Sequence, residues 1–86
     1  MHPVKIEEVG LVGFGRFGKL AYRYLRRGKK LRIYNHNPEK IRNIPERATL
    51  EETLAAQLIV LCMPISGMEE FCKTMAPFLR EGQIVV

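Results

Sequence analysis

The sequence predicts an α/β domain, a doubly wound parallel sheet of four to five strands in a three-layer arrangement, and three features predict it. Short apolar runs alternate with segments of helical periodicity along the chain. Glycines cluster at the first change of period, and no linker, repeat or low-complexity stretch interrupts the alternation. A parallel neighbour can be reached only by crossing back over the sheet, so this alternation calls for right-handed strand–helix–strand units.

Each element has its own signal. Val9–Val12 reads as the first strand, apolar on both faces as a strand covered by helices on both sides must be. From Arg16 the period changes: Phe17, Leu20, Ala21, Tyr24 and Leu25 fall at i, i+3, i+4, i+7 and i+8, with Lys19, Arg23, Arg26 and Arg27 opposite. That predicts an amphipathic helix, with Gly28 as its left-handed terminator. Leu31–Asn35 is the second strand, and Asn37-Pro38 supplies a cap and a first-turn proline for a short helix over 39–43. Beyond Pro45, Arg47 and Ala48 suit a weak third strand.

Thr49-Leu50-Glu51-Glu52 has the capping-box spacing, which predicts a helix from Thr49 to about Gln57. LIVLCM, residues 58–63, is the strongest strand signal in the chain. Ser66-Gly67-Met68-Glu69 offers a second capping box, and Met68, Phe71, Cys72 and Met75 carry the spacing of a core stripe until Pro77 disturbs the turn. Gly82 breaks the chain, and Gln83–Val86 begins a last strand.

The glycines carry the chemistry. Gly13, Gly15 and Gly18 form G-x-G-x-x-G directly after a strand and at the opening of a helix, the context in which that pattern binds a dinucleotide. Gly13 allows the tight turn, Gly15 lets a pyrophosphate approach the main chain, and Gly18 lets the helix pack closely. Around them Phe14, Arg16 and Phe17 belong to the same cofactor turn, where first-turn N–H groups and the helix dipole favour an anion. The fingerprint places an acid for the ribose hydroxyls about 20 residues on, at the end of the second strand. Here that position is Asn35, followed by His36 and Asn37. A carboxylate would repel a 2′-phosphate, whereas a neutral amide with Arg16, Lys40 and Arg42 in reach accepts one, so NADP is expected in preference to NAD. The facing wall comes from the strand beyond the switch point, and Met63 and Pro64 are expected there.

Composition narrows the alternatives. Eighty-six residues at 47% hydrophobic and 27% charged suit one globular domain, 1–86. The net charge of +5 fits a binder of phosphorylated small molecules, and bases do not alternate with aromatics on a strand platform, which argues against nucleic acid. No run approaches the roughly 20 apolar residues of a membrane helix, and Met1–Glu8 is no secretory signal, so a cytoplasmic protein without a membrane partner is expected. Cys62 and Cys72 match neither a metal nor a redox spacing and read as buried free thiols.

GLVGFGRFG, YNHNPEK and above all LIVLCMPISGMEEFCKTMAPFLREGQIVV resemble the Rossmann-type NAD(P)-binding domain of the prephenate and arogenate dehydrogenase family, over roughly Lys5 to Val86. The resemblance implies the cofactor module of a tyrosine-biosynthesis dehydrogenase, incomplete relative to the full family domain. The family's catalytic histidine motif, its Asp-x-x-Ser-Val-Lys-like stretch and its helical domain have no counterpart in these residues. Neither His2 nor His36 matches the catalytic position, so no catalytic residue is assigned and no turnover is expected of the chain alone. Two other readings share the glycine turn: the cofactor domain of a hydroxyacid or 6-phosphogluconate-type dehydrogenase, and a nucleotide-sensing regulatory module, against which Asn35 counts. The last strand is expected to leave an open sheet edge through which the chain self-associates.

Overall fold

The computed structural model describes residues 6–63 and 66–86. Four parallel strands form one sheet in the order β2-β1-β3-β4: β1 Glu8–Val12, β2 Lys30–Tyr34, β3 Leu58–Leu61 and β4 Ile84–Val85. The expected weak strand after Pro45 is reduced to one parallel bridge, Ile33 to Arg47, on the far side of β2. Between the strands run helices α1 (Arg16–Leu25), α2 (Leu50–Thr53) and α3 (Met68–Met75), with single 3₁₀ turns at Pro38–Ile41 and Ala76–Phe78. Chain order reverses direction between β1 and β3, so the sheet has its switch point at the carboxyl end of β1.

Successive side chains of β1 point to opposite faces, and each face feeds a separate core. Val9 and Leu11 pack with Phe14, Tyr22, Leu31, Ile33 and Ile41. Val12 packs on the other face with Leu54, Ile59 and Met75. Gly10 shares that second face, and a Cβ there would lie 2.2 Å from the Thr53 carbonyl oxygen. Val9–Val12 is apolar throughout because it is buried on both faces, and it contains a glycine because α2 sits against its backbone.

Five local expectations are corrected. In α1 the inward residues are Gly18, Ala21, Tyr22 and Leu25, while Phe17, Leu20 and Tyr24 stand exposed. Close approach sets this phase: a Cβ on Gly18 would fall 2.4 Å from the Gly13 carbonyl oxygen, so only glycine fits at position 18 and its face turns inward. The helix ends at Leu25 with Arg26 in right-handed conformation, and Gly28 has no positive φ. Helix α2 forms its capping box at Thr49 but stops at Thr53 instead of running to Gln57. The Gln83 amide donates to the carbonyls of Leu54 (2.7 Å) and Ala56 (2.8 Å), and the Gln57 side chain accepts from the N–H groups of Glu7 and Glu8. Tertiary bonds thus replace the helical ladder where the chain must enter β3.

At α3 the cap is Gly67 at φ 85°, with no side-chain bond, so the box expected from Ser66 does not form. Its inward positions are Met68, Phe71 and Met75, and Cys72 on the flank is exposed rather than buried, while Cys62 is half-buried; both are free thiols. No described helix is long and apolar enough to cross a membrane.

Candidate functional site

The carboxyl ends of β1, β2 and β3 open on one cavity of about 310 Å³. Gly13, Phe14 and Gly15 form its floor, Asn35 and His36 one side, and Cys62 and Met63 the other, with Lys40 at the rim. Pro64, expected beside Met63, lies outside the described residues.

The three glycines differ in what holds them. Gly13 has φ 100°, and a Cβ there would sit 2.5 Å from the Cys62 carbonyl oxygen, so the turn is locked against the end of β3. Gly18 is required by the packing already described. At Gly15 the backbone is extended, φ −82°, and no atom lies within 4 Å of where a Cβ would be. Nothing among the described residues demands a glycine at that position. It faces open space at the N-cap of α1, where the N–H groups of Arg16, Phe17 and Gly18 have no intrahelical acceptor. No side chain caps this helix among the described residues, and its first turn holds no acid. An anion here would meet free donors and the positive end of the helix dipole without a Cβ in the way.

Asn35 does more than leave out a charge. Its Oδ1 accepts from the Phe14 N–H at 2.8 Å, and its Nδ2 donates to the Asn37 carbonyl at 2.8 Å. The amide therefore ties the glycine turn to the loop after β2, using one acceptor and one donor that a carboxylate could not both supply. Asn37 in turn caps the 3₁₀ turn by accepting from the Glu39 N–H at 3.1 Å. The exposed His36 ring makes no hydrogen bond among the described residues. Burial raises the Cys62 thiol above its ordinary value and keeps it protonated beside the turn.

A second brace was not legible in the sequence. Phe14 turns its ring inward against Tyr22, edge to face with centroids 5.7 Å apart. Tyr22 donates from its hydroxyl to Glu46 at 2.9 Å and lies under the Arg26 guanidinium at 5.0 Å. Burial and the Glu46 carboxylate together raise the Tyr22 phenol. The residue between the two glycines is thus held at its N–H by Asn35 and at its ring by Tyr22.

Of the three cations expected near the ribose, the structure brings two together. Arg16 and Lys40 line a groove of about 620 Å³ that starts at Phe14 and Gly15 and runs outward along α1. Arg42 is turned away and pairs with Glu39 at 3.4 Å. The exposed Phe17 side chain lines neither cavity.

The reversal in sheet order, with a glycine turn at its switch point, defines a Rossmann-type domain of the dehydrogenase kind. The chain belongs to the family described as NADP oxidoreductase, coenzyme F420-dependent, which it matches over residues 8–86. Among solved structures it is similar to Synechocystis arogenate dehydrogenase, at 27% identity and a TM-score of 0.74 over 91% of this chain and 31% of that one. It is also similar to prephenate dehydrogenase from A. aeolicus, in complex with hydroxyphenyl propionate and NAD+, at 24% identity and a TM-score of 0.76 over 98% and 34%. A Bacillus cereus imine reductase shares the fold at 23% identity and a TM-score of 0.74 over 92% and 30%. No curated protein gives a significant match. The chain spans about a third of the length of these solved structures.

Proposed function

We propose that the chain is the NADP(H)-binding module of a prephenate or arogenate dehydrogenase-like oxidoreductase, with the diphosphate on the first turn of α1. The observation that carries this reading is Gly15, a glycine that the fold does not need, placed at an uncapped helix start beside the cavity. Gly13 and Gly18 shape the turn, while the N–H groups of Arg16 and Phe17 meet the anion. Asn35, His36 and Asn37 border the adenosine ribose, and Met63 forms the opposite wall. Arg16 and Lys40 lie where a 2′-phosphate would need cations, and the neutral Asn35 amide does not repel it. NAD+ in the A. aeolicus enzyme shows that a related fold accepts the unphosphorylated cofactor, so the choice of NADP rests on these side chains.

The bound nicotinamide would supply hydride chemistry. These residues hold and orient the cofactor but provide no proton-transfer group, since His36 is exposed and has no orienting partner among the described residues. Turnover therefore requires residues beyond this chain's own site.

Titration calorimetry tests the reading. NADP should bind at least tenfold more tightly than NAD, and Lys40→Ala should erase most of that ratio while leaving NAD affinity unchanged. Absence of heat with both nucleotides would refute it. Lys40→Ala is the better probe than Asn35→Asp, because aspartate at 35 would also lose the bond to Asn37.

The β4 edge supports a further part of the proposal, self-association. Ile84, Val85 and Val86 are 44%, 42% and 69% exposed at the rim of the sheet, and an open apolar edge templates strand pairing. Sedimentation velocity should show the dimer fraction rising with concentration and falling in Val85→Lys. A monomer at all concentrations would exclude edge pairing.

A further inference from the structure

The groove beside the glycine turn is longer than a ribose phosphate needs. Besides Arg16 and Lys40 it is lined by Lys19, Leu20 and Arg23, which carry it two helical turns away from the turn. No acidic side chain lines it, and none of its four cations forms an ion pair among the described residues. By contrast Arg32 pairs with Glu8 and Arg42 with Glu39. Lys19 and Arg23, the two cations of the groove not assigned to the nucleotide, repel one another at i, i+4 along α1. A helix that accepts such repulsion without one acid of its own is locally inconsistent, which is expected where an external anion supplies the balance.

A second, independent observation adjoins this one. Phe17, Leu20 and Tyr24 are 61%, 51% and 78% exposed, and at 3.6 residues per turn they fall within an arc of about 60°. Leu20 borders the cation arc of Arg16, Lys19 and Arg23. The close contact at Gly18 has turned the helix so that part of its apolar stripe faces outward. A large aromatic pair left in water marks a contact surface.

We infer that the outer face of α1 docks an acidic peptide segment of another protein, one that also carries apolar side chains. Cations alone would suit a polyphosphate or nucleic-acid backbone, and apolar groups alone a second copy of this chain. A second copy is disfavoured because two α1 faces would bring like charges together. Acidic and apolar groups at helical spacing match both arcs at once. The docked segment lies against Lys19, Leu20, Arg23 and Tyr24, none of which is assigned to the nucleotide, so the inference stands apart from the proposed cofactor site.

The probe is a synthetic helical peptide with leucines at i, i+3 and i+7 flanked by glutamates, titrated against the chain by fluorescence anisotropy with and without saturating NADP. Binding should persist with NADP and weaken about tenfold or more in the double variant Lys19→Glu/Arg23→Glu. It should weaken similarly in Leu20→Ser/Tyr24→Ser, and a peptide with serine for leucine should fail to bind. These positions are exposed, and unchanged circular dichroism confirms that the variants fold. Tripolyphosphate, single-stranded DNA or phosphatidylglycerol vesicles binding in place of the peptide would overturn the inference. So would no peptide binding at all, equal binding by the variants, or displacement of the peptide by NADP.

Discussion

Two helix starts in this small domain solve the same problem in opposite ways. At α2 the Thr49 hydroxyl accepts from the Glu52 N–H at 3.1 Å, the Glu52 carboxylate accepts from the Thr49 N–H at 2.9 Å, and Glu51 adds a second charge to the positive end of the dipole. At α1 the cap is Gly15, which offers no side-chain acceptor, and the first turn is basic. One end is satisfied from within the chain; the other is left open beside a cavity at the sheet's switch point. The contrast teaches that an uncapped helix start gains meaning from its surroundings, here a glycine without a steric reason among the described residues and an adjoining crevice.

The largest effects should come from the glycines that the fold itself needs. Gly18→Ala drives a Cβ into the Gly13 carbonyl, and Gly10→Ala into that of Thr53; in each case the obstacle is backbone. Each should cost about 2–3 kcal/mol or more, lowering Tm by roughly 10 °C or more in a thermal melt of a chain this small. Gly15→Ala is the sharper contrast: stability should change by less than about 0.5 kcal/mol, whereas NADP affinity should fall at least about tenfold in calorimetry. A melting temperature lowered as much as in Gly18→Ala would show that Gly15 is structural after all.

The smallest effects belong to α2. Thr49→Ala should remove about 1 kcal/mol of stability and leave nucleotide affinity unchanged. The hydrogen bond from the Thr49 N–H, then that with the Thr49 side chain, and the nearby Arg32 charge hold the Glu52 carboxyl below its ordinary 4.5. A carboxyl depressed on folding contributes stability that is fully present above its unfolded value and lost as pH falls through the folded one. Urea melts from pH 6 to pH 3 should therefore show an acid-side decline that is shallower in Glu52→Gln. Equal declines would remove Glu52 from the account of acid sensitivity.

Much of this molecule was legible from local signals. The two-faced apolar run at Val9–Val12, the Thr49 box and the glycine fingerprint are each set by short-range rules, and each appears in the structure where those rules place it. The crevice residues Gly13, Gly15, Asn35, His36 and Met63 converge because strand alternation and a switch point require it. What failed was phase and termination. Periodicity identifies that a helix is amphipathic and favours the stripe of Phe17, Leu20 and Tyr24, but a single backbone contact at Gly18 puts the neighbouring face inward. Likewise the end of α2 was decided by Gln83, distant in sequence, whose amide bonds the carbonyls of Leu54 and Ala56, while the Gln57 side chain is held at the start of β1.

The sequence by itself determined the order of elements, the position of the glycine turn and the absence of a carboxylate at residue 35, because these depend on spacing and side-chain type alone. Tertiary structure decided which face of α1 meets water, that Asn35 braces Phe14, that Tyr22 is anchored on Glu46, and that Arg16 and Lys40 share a groove while Arg42 does not. Those outcomes depend on close approaches between segments tens of residues apart, and no local pattern encodes a distance.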